Sequence, residues 1–268
     1  MMAQFNRQSF LGADSECVLR DCRVAVVGLG GGGSHIVQQL AHVGVGNFLL
    51  FDPDHTEDSN LNRLVGATWA DVAEKILKTE IARRLIMGIN PNARIDARCD
   101  DWRHHAQLLR DRDVVFGCVD TLSARRDLEA ASRRYLIPYI DIGMDVHELD
   151  ERYSISGQVA LSMPGKACMR CMGILSEEAI GREARNYGAA GGKPQVIWPN
   201  GVLASTAVGV FMQLVTPWHD NHSDVLYYEY EGNNNFVGES ARLHHAKDFT
   251  CRHFQDANGL GDPFWLTK

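Results

Sequence analysis

Val24-Ala25-Val26-Val27-Gly28-Leu29-Gly30-Gly31-Gly32-Gly33-Ser34 opens the segment whose reading decides the fold, and Phe48-Leu49-Leu50-Phe51-Asp52-Pro53-Asp54 closes it. A buried apolar strand enters a glycine turn, a helix-like segment follows, and a second apolar strand ends on an acid. That order is a βαβ unit built around a nucleotide. Glycine lets the backbone approach phosphate without a Cβ clash, and the N-terminus of the next helix offers unpaired N–H groups to the anion. Asp52, ending the second strand, is placed to accept hydrogen bonds from ribose hydroxyls. The turn alone is common to many dinucleotide folds. The residues after Asp54 narrow it.

Outward from this unit, strand-like runs cover 113–118, 139–142, 158–161 and 227–230, with helical patterns over 36–43, 75–87, 105–109 and 124–135. Strands alternating with helices predict an α/β fold: a Rossmann-like, mostly parallel sheet with helices on both faces. Residues 174–199 break the rhythm with a charged piece and the glycine-dense Gly188-Ala189-Ala190-Gly191-Gly192, read as a mobile excursion over the core. Residues 201–215 return as an apolar helix, for which Trp198-Pro199-Asn200-Gly201 reads as the start. The 268 residues suit a single domain over 1–268, with a knuckle and crossover segment at 164–200 and a C-terminal tail at 240–268.

Hydrophobic content of 45% and charged content of 23% fit a soluble globular protein with a full core. A net charge of −7 and a pI near 5.9 argue against a protein built to hold nucleic acid. Arg182, Arg185 and Lys193 can still make a local basic patch. Met1 to Gly12 lacks a basic-then-apolar signal pattern, and no apolar run approaches the roughly 20 residues that span a bilayer. A cytoplasmic protein with no membrane partner is expected. Its seven cysteines then count as thiols, metal ligands or reactive groups, not as a disulfide framework.

After Asp52 the chain runs Asp54-His55-Thr56-Glu57-Asp58-Ser59-Asn60-Leu61-Asn62-Arg63; Lys78 precedes Asn90-Pro91, and Asp120 is followed by Arg125. With Gly28-x-Gly30-Gly31-x-Gly33, these spaced motifs resemble the ThiF/MoeB family in its bacterial type, relatives of ubiquitin-activating enzymes, over most of the chain. The resemblance implies that Gly28, Gly30, Gly31 and Gly33 form a phosphate loop and that Asp52, Asp54 and Asn60 line the ribose and triphosphate. It implies that Arg63 and Lys78 neutralise phosphate charge that grows in the transition state. Asp120 would hold Mg²⁺, an ion that prefers oxygen ligands shared with substrate phosphates. Arg7, in Arg7-Gln8-Ser9-Phe10-Leu11-Gly12, is similar to the family arginine that reaches the ATP of a partner subunit, which implies a homodimer. Plainer readings stand beside these. Asp120 can cap the next helix, with Ser123 and Arg125 at the surface. Lys78 can be a solvated lysine on an amphipathic helix, and Arg7 part of a frayed terminus.

Cys168-Met169-Arg170-Cys171, after Pro164-Gly165, has zinc-ligand spacing. The family pattern completes such a site with a second Cys-x-x-Cys near the C-terminus, whereas this tail offers Cys251-Arg252-His253-Phe254. A structural Zn²⁺ on Cys168, Cys171, Cys251 and His253 follows from the resemblance, with His244 or His245 able to replace His253. A redox pair is the rival reading of the lone Cys-x-x-Cys. Family members that form a thioester or persulfide carry a cysteine in the loop after the first knuckle; between Met172 and Asn200 this chain has none. Cys118 reads as a small core residue on a strand, and Cys17, Cys22 and Cys99 lie outside the expected loop. His219 and His222, beside Trp218 and Asp220, read as a polar turn rather than a metal site, and Gly259-Leu260-Gly261-Asp262 as turn chemistry.

By resemblance, the chain uses ATP and Mg²⁺ to adenylate the C-terminal glycine of a ubiquitin-like or sulfur-carrier protein, whose tail runs under the crossover segment toward Asp120. A terminal carboxylate is already ionised at pH 7, so no general base is required. The acyl-adenylate would pass to a thiol, amine or sulfide on another protein, a conjugating enzyme or sulfur donor. Three rivals remain: adenylation of a peptide or modified-tRNA carboxylate, a non-catalytic partner subunit, and an NAD-binding oxidoreductase. The last shares the glycine turn and Asp52 but leaves Ser59 to Arg63, Lys78 and the knuckle unexplained.

Overall fold

The structure is a computed structural model and describes residues 3–150, 152–186, 194–219, 226–242 and 251–254. Strands β1 (Arg23–Val27), β2 (Asn47–Phe51), β3 (Arg94–Arg98), β4 (Val114–Gly117), β5 (Tyr139–Leu149), β6 (Arg152–Ser162), β7 (Tyr227–Glu231) and β8 (Phe236–Glu239) form one sheet in the order β3-β2-β1-β4-β5-β6-β7-β8. Strands β1 to β5 pair in parallel. From β5 to β8 the pairing is antiparallel. The expected parallel character therefore holds over the half that carries the glycine turn.

Helices cover both faces because the strands are apolar on both. Val24, Val26, Phe48 and Leu50 point to a core shared with α2 (Gly31–Val43), α4 (Lys78–Ile89) and α7 (Ile197–Val215). Ala25, Val27, Leu49 and Phe51 point the other way, toward α5 (Leu122–Arg134) and the 3-10 turns of Trp102–Asp111. Short helices α1 (Ser15–Asp21) and α3 (Trp69–Ala73) precede β1 and α4, and α6 (Glu177–Asn186) lies in the crossover segment. No described helix is long and apolar enough to cross a membrane.

Several boundaries differ from the sequence reading. The helix expected from 36 begins at Gly31, so three glycines of the run form its first turn. The helix expected from 75 begins at Lys78, because Lys75 adopts a left-handed φ of 50° that breaks the chain after α3. Residues 105–109 lie in 3-10 geometry kinked at His105. Strands β3 and β8 carry no sequence signal because neither buries a residue: β3 alternates charged with partly buried residues, and β8 is four residues long with both ends exposed. Gly188 to Lys193, Asp220, His222, His244, His245 and Gly259 to Asp262, with the expectations placed on them, lie outside the described residues.

Arg125 is not at the surface. It is buried in ion-pair contact with Asp141, which is fully enclosed and also accepts the Tyr139 hydroxyl at 2.9 Å. This pair ties the first half of α5 to β5. Removing one partner leaves a buried charge without compensation, which costs about 3–5 kcal/mol. Asp141→Ala should therefore lower the urea midpoint by that equivalent at neutral pH; an unchanged midpoint would show the pair to be incidental.

Candidate active site

The parallel strand order places β1 between β2 and β4, which the chain reaches in opposite directions, and such a switch point opens a crevice at the carboxyl ends. The glycine turn lies in that crevice. Gly28 has φ +88° and donates its N–H to Phe51 O at 2.8 Å; a Cβ there would lie 2.5 Å from Cys118 O. A Cβ on Gly33 would lie 1.9 Å from Gly28 O, so the turn and α2 can close only on glycine. Gly31 is packed against the side chain of buried Asn200 at the start of α7. Gly30 differs: a Cβ there would meet nothing within 4 Å. The open space at the N-terminus of α2 is where an anion has room.

Asp52 is buried, with one carboxylate oxygen accepting Leu29 N–H at 2.7 Å and the other Asp54 N–H at 2.9 Å. It holds the glycine turn as well as facing the site, and each oxygen keeps a second acceptor direction. Burial pushes its carboxyl above the ordinary range, and the Lys78 ammonium pulls it part of the way back. Lys78 begins α4 rather than lying on its outer face, and its side chain is only 12% exposed. Its Nζ is 2.7 Å from Asp54 Oδ2 and 4.0 Å from Asp52 Oδ1. The reading of Lys78 as a solvated surface lysine is thereby overturned.

Asn60 is buried and its Oδ1 accepts Glu57 N–H at 3.1 Å, fixing the loop before Arg63. The Arg63 guanidinium rests on Ser59 O at 2.6 Å and Asn62 Oδ1 at 2.9 Å. Asn62 in turn donates to Gln195 O at 2.8 Å, linking this loop to the end of the crossover segment. Asp120 follows β4 and is exposed; the helix cap is Thr121, whose Oγ1 accepts Ala124 N–H at 3.2 Å, so the capping role assigned to Asp120 is corrected. The Glu183 carboxylate of α6 accepts Leu122 N–H at 2.9 Å, seating the crossover helix on the start of α5 beside Asp120. Asn62, Glu183 and Asn200 escaped the sequence reading; for Asn200 the only signal was its place in Trp198-Pro199-Asn200-Gly201.

Arg7 is exposed on the N-terminal 3-10 segment Ala3–Leu11. Its neighbour Gln8 donates to Val43 O at the last turn of α2. The glycine turn lies at the other end of that helix, roughly 20 Å away at 1.5 Å per residue, so Arg7 does not join its own chain's site.

Cys168, Cys171, Cys251 and His253 converge, all four ligand atoms within 4.8 Å of one another. Cys168 Sγ and Cys171 Sγ are 3.5 Å apart, and each is 3.4 Å from His253 Nδ1. Tetrahedral zinc with ordinary Zn–S and Zn–N bonds sets ligand atoms about 3.5–3.8 Å apart, so this donor set fits the ion. Two of the other thiols, Cys118 and Cys22, are held protonated by burial. Burial, reinforced by Asp141, raises the Cys118 thiol far above its ordinary value, and burial pushes Cys22 up to about 12. His219 bonds Gln213 O at 2.9 Å, as a polar turn after α7 does.

The model of the ThiF family matches residues 3–253. The chain belongs to the ThiF family. Among related sequences, molybdopterin-synthase adenylyltransferase of Escherichia coli (strain K12) is 34% identical over 185 residues, covering 66% of this chain and 70% of that protein. Ubiquitin-like modifier-activating enzyme 5 of Branchiostoma floridae is 32% identical over 168 residues, covering 57% of this chain but only 39% of the longer relative. The solved structure of E. coli MccB with ATP has the same fold, with a TM-score of 0.71, 19% identity, and 89% of this chain and 71% of that one covered.

In this ThiF-family chain, Lys78 is the cation that the fold itself ties to the glycine turn through Asp52. Lys78→Met should weaken ATP binding at least about tenfold, or about 1.4 kcal/mol, in calorimetric titration. It should also move the Asp52 carboxyl further up in a ¹³C-NMR titration, because the opposing charge is gone. Unchanged ATP affinity would remove Lys78 from the nucleotide site.

Proposed function

We propose that this chain is an ATP-dependent adenylyltransferase that activates the C-terminal carboxylate of a ubiquitin-like or sulfur-carrier protein. The observation that carries the reading is the run of contacts from Leu29 N–H through Asp52 to Lys78, which fixes an ammonium beside the glycine turn. The names of its sequence relatives, an adenylyltransferase and an activating enzyme, support the reaction class.

ATP is held with its phosphates in the open space at Gly30 and its ribose toward Asp52 and Asp54. Arg63 exchanges its Ser59 contact for phosphate oxygens, and Lys78 supplies the second cation. Asn60 keeps the intervening loop in place. One carboxylate oxygen of the carrier bonds to the α-phosphorus while the bond to the β-phosphate bridge breaks, so pyrophosphate leaves and no proton moves. The cations act on charge that shifts onto the leaving group, where fixed charges are most effective. Mg²⁺, when bound, screens the triphosphate, and Asp120 is the carboxylate that would hold it. A path for the carrier tail to this corner is supported by Glu183, whose own carboxylate rests on the α5 N–H of Leu122.

Zn²⁺ on Cys168, Cys171, Cys251 and His253 has a structural part, fastening the tail to the knuckle. Arg7, far from its own glycine turn, serves the site of a second copy in a homodimer. The acyl-adenylate passes to a nucleophile on an acceptor protein, a conjugating enzyme or sulfur donor.

Exchange of labelled pyrophosphate into ATP tests the chemistry. It should depend on a carrier ending in Gly-Gly and fall at least about a hundredfold in Asp120→Ala. ATP binding with no exchange for any carrier would point to a different carboxylate, and no ATP binding would leave only a non-catalytic subunit.

A further inference from the structure

The knuckle does not stand alone. Glu129 and Arg133, one turn apart on α5, are each only 1% exposed, although neither has a part in the nucleotide site. Glu129 Oε1 accepts the Ser162 hydroxyl at 2.5 Å and Met169 N–H, inside the Cys-x-x-Cys turn, at 2.7 Å. Arg133 Nε donates to the same Ser162 Oγ at 2.9 Å, while its Nη2 donates to Lys166 O at 3.0 Å and Ala167 O at 2.9 Å. Those three backbone groups belong to Lys166, Ala167 and Met169, which bracket Cys168. On its other side the guanidinium lies 4.9 Å from the ring centroid of Phe254, the residue after His253.

One buried side chain thus touches residues flanking both halves of the four-residue cluster, Lys166 and Ala167 before Cys168 and Phe254 after His253, and those halves are more than 80 positions apart in the chain (Cys171 and His253 are 82 apart). Keeping a guanidinium and a carboxylate buried is costly unless every polar direction is used. Here Ser162 on β6 takes one direction from each side chain, and residues 166–169 take three more. Phe254 adds a cation–π contact, which strengthens where water is excluded.

We propose that Arg133, seated by Glu129 and Ser162, is a positioning residue for the metal cluster: it shapes the Cys168 turn from within and clamps the Cys251–His253 tail onto it through Phe254. This role rests on the cluster holding zinc, and the metal content of the unaltered protein tests that separately.

The experiment measures zinc release from the purified full chain to the chelator 4-(2-pyridylazo)resorcinol, and the d–d absorption of the Co²⁺-loaded protein. Wild type should carry close to one zinc per chain; its absence would overturn the zinc reading before any variant is examined. Phe254→Leu keeps apolar volume at the tail and should speed zinc release about fivefold or more, while the Co²⁺ band keeps tetrahedral intensity. Arg133→Lys keeps the charge without the planar fork and should also speed release. Combining the two should add little to Arg133→Lys alone, because the Phe254 contact is already lost with the guanidinium. Should Arg133→Lys fail to fold, Phe254→Leu decides the matter by itself. Wild-type release in Phe254→Leu, or effects of the two substitutions that multiply independently, would overturn the proposal.

Discussion

The close approach of the β1 turn to the first turn of α2 is the contact on which the rest depends. With Gly33 almost touching the Gly28 carbonyl, α2 can begin directly at the end of β1, its N-terminus aimed along the crevice. Asp52 then reaches across from β2 to take the Leu29 N–H, and so becomes a buried acid. A buried acid calls for a nearby cation, and Lys78 meets that need from the first position of α4. The positive group beside the glycine turn is therefore a consequence of backbone packing. Removing Gly33, Asp52 or Lys78 disturbs the other two.

A second chain of constraint runs along α5. Its N-terminus lies beside Asp120 and receives the Glu183 carboxylate of the crossover helix. Its first turns are fixed to β5 by Arg125 and Asp141, and its last turns hold the knuckle through Glu129 and Arg133. The crossover segment is tethered at its far end as well, by Asn62 to Gln195 O and by Asn200 against Gly31. Glycine turn, crossover and Cys/His cluster are thus linked through one helix and a few side chains.

The elements legible in the sequence were those whose signal is local. Runs such as Val24 to Val27 and Phe48 to Phe51 are apolar on both faces and announce central parallel strands. β3, reading Arg-Ile-Asp-Ala-Arg at the sheet edge, carries no such run. The outer parts of β5 and β6 are likewise polar because they form a hairpin that pairs beyond the core. The Cys-x-x-Cys turn was legible from its spacing, whereas Lys78 and the Cys-x-His tail were singled out by the family resemblance. The partners of Arg125, Glu129 and Arg133 were not, since each lies on another element and no sequence period marks it. Nor was the break at Lys75, where a non-glycine residue enters the left-handed region.

The most direct test of the phosphate site lies at Gly30, the glycine of the turn whose Cβ position is open. Calorimetric titration of Gly30→Ala with ATP, alongside its thermal unfolding, separates ligand space from packing space. The account predicts an unfolding temperature within about 2 °C of wild type, as suits a site without contacts, and ATP binding at least about tenfold weaker. Wild-type ATP affinity in that variant would mean that the phosphates lie elsewhere, and the site drawn around Asp52 and Lys78 would have to be abandoned.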